Sequence, residues 1–392
     1  MIHRTLYPQL LKALESKQIT AITGLRRVGK TTTLHYLYEY IESSNKIILD
    51  LEKMEYRLIF KEERYDNVKS ALEIEGINFN KKAYIFLDEI QLATNSTSII
   101  KYFYDHFNIK FIITGSSSFY MKGLFTESLA GRKQLFELWP LNFKEFLDFK
   151  GVKINLPKFS FEPTNPYLIS KLALLYNEYI NFGGFPEVAL LNGDKQKYNL
   201  LKDILDSYIR FDILFLSDFR KSDEIFKLIK LLSARVGSKV DYSKLSGISG
   251  INRHKVKDYL LFLENTFFIK LIKPFVTNTD REIALQTKIY FSDNGLLNSL
   301  ASISSGAKLE NSIANQLYLK GELNYYAKRN GQEIDFIFNK NTAIEVKETP
   351  TAGNFKTLKR RAKSIGIEKY VLCGNNNVDN GFNEFIYGGA IY

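Results

Sequence analysis

ITAITGLRRVGKTTTL, residues 19–34, sets a short apolar, β-branched run against a glycine loop and then a helix-forming segment. Its first five residues read as a buried strand, and Thr31 to Ser43 read as a helix with Leu34, Leu37, Tyr38 and Ile41 on one face. Between them, Gly24-x4-Gly29-Lys30-Thr31 fits the phosphate-loop pattern G-x-x-x-x-G-K-[ST]. Strand, glycine loop and helix is the arrangement this motif requires. The glycines let backbone N–H groups close on phosphate oxygens, and the helix N-terminus adds its dipole. The expected nucleotide-binding residues are Gly24, Leu25, Arg26, Arg27, Val28, Gly29, Lys30, Thr31 and Thr32. Lys30 is placed to reach the β and γ phosphates, and the Thr31 hydroxyl to bind Mg²⁺.

Such a site needs a second apolar strand ending in acid. KAYIFLDEIQ (82–91) supplies one, with Asp88 to hold Mg²⁺ directly or through water and Glu89 to polarise the attacking water as general base. The plainer alternative is an acidic pair where a strand enters a loop. A third run, KFIITGSSS (110–118), ends in hydroxyl residues, so Thr114 or Ser116 is expected to sense the γ-phosphate at the carboxyl end of its strand. The alternative there is a turn with serine caps. Strands at 19–23, 46–51, 83–88, 110–114 and 134–138 alternate with helical stretches, which predicts a parallel sheet with helices on both faces.

Length and composition are consistent with this. A chain of 392 residues predicts two or three domains, and 45% hydrophobic with 25% charged residues is a globular composition. The net charge of +11 favours an anionic partner, nucleic acid ahead of a membrane surface, with a solvated lysine-rich exterior as the alternative. The lone Cys373 excludes an internal disulfide and a cysteine-based zinc site, and the four histidines form no zinc pattern. Ser116 to Ser118 lack the context of a nucleophile elbow. No apolar run is long enough to span a bilayer and the N-terminus does not read as a signal peptide, so the expected location is cytoplasmic.

GLRRVGKTTTL, YIFLDEIQ, FIITGSSS, ESLAGR, PLNFKEFL and NFGGFPE, in that order, resemble a family of prokaryotic AAA-plus ATPases over nearly the whole chain. The resemblance implies ATP at Gly24 to Thr31, Mg²⁺ and hydrolysis at Asp88 and Glu89, and a first sensor at Thr114 or Ser116. It also implies that Arg132, in LAGR, acts on the γ-phosphate in cis or from a neighbouring subunit. Arg210 is a weaker candidate for a second sensor. Arg26 and Arg27 are typical of the family. Their side chains are expected to point away from the phosphates, toward another domain, another subunit or the nucleotide's outer face, and to report loop occupancy. Solvent-facing charge is the alternative.

Residues 150–166 hold the densest prolines and read as a connector, followed by helices to about residue 222. NFGGFPE (181–187) reads as a structural turn. Residues 226–275 have the layout of a winged helix-turn-helix, whose third helix would offer Asn252, Arg253, His254, Lys255 and Lys257 to DNA, or serve only for packing. Further on, Glu310 lies near a helix start, Asp335 lies in GQEIDFIF, and Glu345 and Lys347 stand two apart in AIEVK, hence on one strand face. Asp335 and Glu345 together are expected to hold Mg²⁺, with Lys347 positioning or activating water. With Glu310 on the preceding helix, this constellation resembles the PD-(D/E)XK nuclease core, which implies Glu310 as a further metal ligand, although Ile334 replaces the proline usual before the first aspartate.

The expected fold is therefore α/β. It comprises an AAA-plus-like P-loop NTPase core with a parallel sheet (1–150), a helical lid or connector (151–225), a winged helix-turn-helix (226–280) and a nuclease-like α/β domain (281–392). The expected function is ATP hydrolysis driving or switching a DNA-associated activity. The alternatives are a regulatory ATPase whose C-terminal domain binds a partner without cutting, and a module acting on proteins. The expected ligands are ATP, Mg²⁺ and nucleic acid, DNA ahead of RNA, with a second copy of the chain or another protein as further partner and no membrane.

Overall fold

A computed structural model describes residues 2–93, 95–115, 129, 131–154, 156, 158–213, 222–276, 285–328, 331–376 and 382–392. The chain divides into two compact units. One comprises Met1–Trp139, Arg210–Asp218 and Asn265–Phe267; the other comprises Pro140–Ile209, Phe219–Glu264 and Phe268–Tyr392.

The first unit runs α1 (Tyr7–Ala13), β1 (Ile19–Thr23), α2 (Lys30–Tyr40), β2 (Lys46–Asp50), α3 (Met54–Ile59), α4 (Tyr65–Ile74), β3 (Ala83–Asp88), α5 (Ser96–His106), β4 (Ile109–Gly115) and β5 (Lys133–Glu137). All five strands are parallel, in the order β2-β3-β4-β1-β5. β1 and β4 are buried along their whole length, as a sheet covered on both faces demands. Alternate residues divide between the faces. Ile19, Ala21, Ile85, Leu87, Phe111 and Ile113 pack with Val68, Leu72, Ile100 and Phe103 of α4 and α5. On α2, Leu34 and Leu37 are fully buried, and Tyr38 meets Phe86 edge-on at 5.4 Å. β5 is half exposed, as an edge strand can be.

The strand order creates the site. The chain leaves β1 toward β2, beyond β4 and β3, but leaves β4 in the opposite direction, toward β5. The crevice outside the carboxyl ends of β1 and β4 is therefore a topological switch point, where ligands bind in open α/β sheets.

The second unit begins with α6 (Phe143–Phe149), α7 (Pro166–Phe182), α8 (Pro186–Leu190) and α9 (Asp194–Ser207). The two glycines between α7 and α8 are structural. Gly183 has φ 76°, and a Cβ there would lie 2.2 Å from Asp293 Oδ1; one on Gly184 would lie 2.3 Å from the Leu141 carbonyl oxygen. The Gly184 N–H donates to Asp293 Oδ2 at 2.7 Å. Three helices follow: α10 (Ser222–Ser233), α11 (Tyr242–Ser249), ended by left-handed Gly250, and α12 (Arg253–Asn265). Lys227 donates to the Ser249 carbonyl at 2.7 Å and thereby holds α10 against the end of α11. Next come β6 (Ile269–Pro274) and β7 (Lys288–Phe291), an antiparallel pair, with a bridge from Lys239 to Lys288.

The C-terminal part runs α13 (Asn294–Leu300), α14 (Ser305–Tyr318), β8 (Leu323–Ala327), β9 (Glu333–Phe338), β10 (Thr342–Val346), α15 (Ala352–Lys363), β11 (Lys369–Gly374) and β12 (Ile386–Tyr387). Its sheet has the order β12-β11-β10-β9-β8-β6-β7, so the β6–β7 pair continues the sheet that carries Asp335 and Glu345. No helix among the described residues is long and apolar enough to cross a membrane.

Candidate functional site

The loop between β1 and α2 is held in shape before any phosphate arrives. A Cβ on Gly24 would lie 2.1 Å from the Leu138 carbonyl oxygen, in the segment whose N–H donates to Thr23 at 2.7 Å, so only glycine fits. Gly29 and Arg27 both adopt left-handed backbone, φ 97° and 62°. For an arginine that conformation costs ~1–2 kcal/mol. Such turns form concavities of N–H groups that bind anions. Arg4, buried, clamps the loop by donating to the Val28 carbonyl at 3.0 Å and to the Trp139 carbonyl at 2.6 Å. Lys30 rests on the loop's own carbonyls, donating to Gly24 at 3.1 Å and Leu25 at 2.8 Å. Burial pulls its pKa below the usual lysine value, against the raising effect of Glu89 and Asp212.

The acidic strand meets this loop through one carboxylate. Thr31 donates to Asp88 Oδ2 at 2.7 Å, and Thr114 of β4 donates to Asp88 Oδ1 in a very short hydrogen bond. Asp88 thus joins the phosphate loop to the end of β4 while itself buried. Glu89 has φ 53°, a strained backbone for a non-glycine residue, and its N–H donates to Thr114 Oγ1 at 3.2 Å. Gln91 donates to the Glu89 carboxylate in a second very short contact. Glu52 lies close enough that burial and then Glu89 push its own pKa upward. One hydroxyl and one carboxylate beside a phosphate loop suit Mg²⁺, which keeps several waters and takes few protein ligands. Thr31 and Asp88 are the residues that would hold it.

The arginines go to different places. Arg26 Nε stands 3.3 Å from Asp212 Oδ2, and Asp212 is 1% exposed. The partner lies in the 210–218 segment of the same unit, which answers where at least one loop arginine points. Arg132 precedes β5 at the amino ends of the strands, where its carbonyl accepts from Ile19 N–H, and its side chain pairs with Asp105 at 3.0 and 3.2 Å. The phosphate loop leaves the carboxyl end of β1, a strand's length of roughly 16 Å away. That placement does not bring Arg132 to the phosphate loop of its own chain. Arg210 is exposed in the turn after α9. Ser116 lies outside the described residues.

In the second unit the four residues of the C-terminal constellation do come together. Lys347 Nζ is 2.9 Å and Arg361 Nη1 3.4 Å from Glu345 Oε1, and Asp335 Oδ2 accepts from the Val346 N–H at 2.8 Å. Glu310 Oε1 accepts from Tyr290 at 2.7 Å and has Lys288 Nζ at 3.7 Å. Burial, then Asp335, pushes Glu310 up to about 7, and the same two causes raise Glu345. Burial alone would lower Lys347, but Asp335, Glu345 and Glu310 more than offset it. As a Mg²⁺ ligand set, Glu310, Asp335 and Glu345 do not fit: one oxygen of each is engaged by a protein cation, a phenol or an N–H group, and Glu345 Oε2 is buried without a hydrogen-bond partner. No group of three or more His, Cys, Asp or Glu side chains among the described residues is placed to hold a metal.

Comparison with known proteins agrees with the geometry of the first unit. Residues 16–147 match an AAA domain family, residues 173–307 the domain of unknown function DUF8612, and residues 305–387 the domain of unknown function DUF4143. The uncharacterized protein MJ1544 of Methanocaldococcus jannaschii is 30% identical over 388 residues, covering 94% of this chain and 84% of that protein. The chain belongs to the same family as MJ1544. An uncharacterized protein of Haemophilus influenzae is 28% identical, with 94% and 93% covered. Among solved structures, the Aeropyrum pernix ORC1 protein in complex with DNA aligns at 12% identity and TM-score 0.33, over 76% of this chain and 92% of that one. The ORC2 protein of the same organism, in its ADP form, aligns at 11% and 0.37, over 75% and 90%.

Several residues around the two sites carry no local signal. Arg4 and Asp212 reach the loop across 24 and 186 residues of sequence, so nothing in the motif announces them. Lys288 and Tyr290 join the C-terminal cluster from a different strand pair. Gln91 was detectable, standing two residues after Glu89 in the quoted run.

Proposed function

We propose that this chain is an Mg²⁺-dependent AAA-plus ATPase, converting ATP and water to ADP and phosphate, whose nucleotide cycle drives or switches a DNA-associated activity. The observation that carries the reading is Asp88, which engages Thr31 of the phosphate loop and Thr114 of the neighbouring strand at once. Lys30 exchanges the Gly24 and Leu25 carbonyls for phosphate oxygens, and the loop N–H groups take the remainder. Mg²⁺, when bound, neutralises charge on the β and γ oxygens. Glu89, oriented by Gln91 and by its N–H bond to Thr114, accepts the proton of the attacking water. Arg26 reports occupancy: phosphate competes with Asp212 for its guanidinium and so loosens the turn at 208–213.

Helices α10 to α12 with the β6–β7 pair support a winged helix-turn-helix. In that reading Asn252, Arg253, His254 and Lys257, all exposed, face the nucleic acid, whereas Lys255 pairs with Glu224 at 2.5 Å. The chain's +11 charge favours such a partner. The α14–β8–β9–β10–α15–β11 order supports a nuclease-like domain. The second reading, in which that domain binds nucleic acid or a partner without cutting, is favoured by the cations already lodged on its carboxylates.

The test is steady-state ATP hydrolysis with Mg²⁺, with and without DNA, against Lys30→Ala. Stimulation by DNA that disappears in the variant supports the proposal. Turnover indifferent to DNA overturns its DNA-associated part and leaves the regulatory switch. Turnover equal to the variant's overturns the ATPase.

A further inference from the structure

β7 sends two side chains into the C-terminal carboxylate cluster that belong to neither strand of the Asp335 and Glu345 constellation. Lys288 is 2% exposed, forms a very close ion pair with Glu333, and stands 3.7 Å from Glu310 Oε1. Two residues on, and so on the same face of the strand, Tyr290 donates to that same Glu310 oxygen at 2.7 Å. The Lys288 ammonium also lies 5.5 Å from the centre of the Tyr325 ring, whose negative face favours a cation.

An ammonium this buried persists only if its surroundings repay the loss of water. Burial by itself would lower its pKa. The carboxylates of Glu333 and Glu310 stand against it and favour the charged form. On the other flank, Lys347 and Arg361 converge on Glu345 Oε1. The cluster thus sets four carboxylates, Glu310, Glu333, Asp335 and Glu345, against three protein cations, Lys288, Lys347 and Arg361. A divalent ion needs several oxygens turned toward one point with lone pairs free. Here one oxygen of each of those carboxylates already faces a cation, a phenol or a backbone N–H, while Glu345 Oε2 is buried without a hydrogen-bond partner.

We propose that Lys288 is the resident cation of this cluster: the β7 ammonium occupies the place of a divalent ion between Glu310 and Glu333, and the cluster takes Mn²⁺ or Mg²⁺ only once that ammonium is removed. The inference rests on the nuclease-like reading of the C-terminal domain for its significance, in that a metal would otherwise be expected there. It does not depend on ATP hydrolysis or on DNA. Its consequence is that the domain engages its ligand with fixed protein charges supplied in part by the β6–β7 pair. The three-helix segment and the carboxylate cluster thereby share a strand pair.

The experiment uses the full chain carrying Lys30→Ala, without nucleotide, so that phosphate-bound metal does not contribute. Mn²⁺ is titrated and the free ion counted by electron paramagnetic resonance. The parent is expected to show no site dependent on Asp335. Adding Lys288→Met should create one, at least tenfold tighter than any Asp335-dependent site in the parent, and a further Asp335→Asn should abolish it. Lys288→Arg, which keeps the charge, should create none. An Asp335-dependent Mn²⁺ site in the parent overturns the proposal while strengthening the nuclease reading. Failure of Lys288→Met to gain a site overturns the proposal and leaves the ATPase reading untouched, since that is read by turnover. If the methionine variant folds poorly, its melting midpoint becomes the second measurement. A rise with Mn²⁺ that Lys288→Arg does not share supports the proposal, and a midpoint indifferent to Mn²⁺ overturns it.

Discussion

Replacing Thr114 by valine keeps the shape of a fully buried side chain and removes one oxygen. That oxygen makes two contacts: it donates to Asp88 Oδ1 and accepts the N–H of Glu89 at 3.2 Å. A hydrogen bond to an ionised carboxylate is worth ~1.5–3 kcal/mol. Loss of the second leaves the backbone of Glu89, held at φ 53°, without that tether. Both losses fall on the groups proposed to act on water and metal, while the loop that holds the phosphates keeps its contacts with Arg4, Thr33 and Leu138. If ~1.5–3 kcal/mol is lost only at the transition state, kcat falls by about 10- to 150-fold. The nucleotide dissociation constant should then move less than about threefold, and Thr114→Ser should recover most of the rate. Steady-state kinetics, a fluorescent-nucleotide titration and a melting curve on the same samples separate the terms. An unchanged kcat, or a loss of affinity as large as the loss of rate, would refute the assignment of Thr114 as the residue that aligns Asp88 and Glu89.

Two other outcomes follow from the same physics. Asp212→Asn removes a buried negative charge that competes with phosphate for Arg26 and acts on Lys30, so nucleotide affinity should rise by about 3- to 10-fold; weaker binding in a titration would show instead that Asp212 orients Arg26 for the ligand. Burial pushes Asp293 up to about 6, above its ordinary 3.8, so between those values the folded chain holds a proton that the unfolded chain has released. Stability from this group is therefore present at the acidic end and lost as pH rises through that window, by about 3 kcal/mol. Denaturant midpoints followed from pH 4 to 6.5 should fall more steeply for the native chain than for Asp293→Asn, and parallel curves would count against it.

The sequence by itself determined the elements of the first unit and the identity of its phosphate loop. Each of the five strands lies within a residue of its expected bounds, because fully buried parallel strands read as short apolar runs and the glycine loop has few other uses. NFGGFPE was likewise legible as a turn, since the positive φ of Gly183 is a local demand. Lys255 lay in the expected basic row, but its pairing with Glu224 on another helix could not be read from that row.

What the tertiary structure decided is every relation between distant segments. Strand order sets β1 between β4 and β5, so that Thr114 of β4 lies beside the strand that leads into the phosphate loop. Asp212 returns to the phosphate loop from 186 residues away, and Lys288 enters a carboxylate cluster whose motif residues give no hint of it. Periodicity and turn chemistry act over a few residues and are written in the local sequence. Charge neutralisation in a buried site depends on which side chains the fold brings within about 4 Å, and that is a property of the folded chain alone.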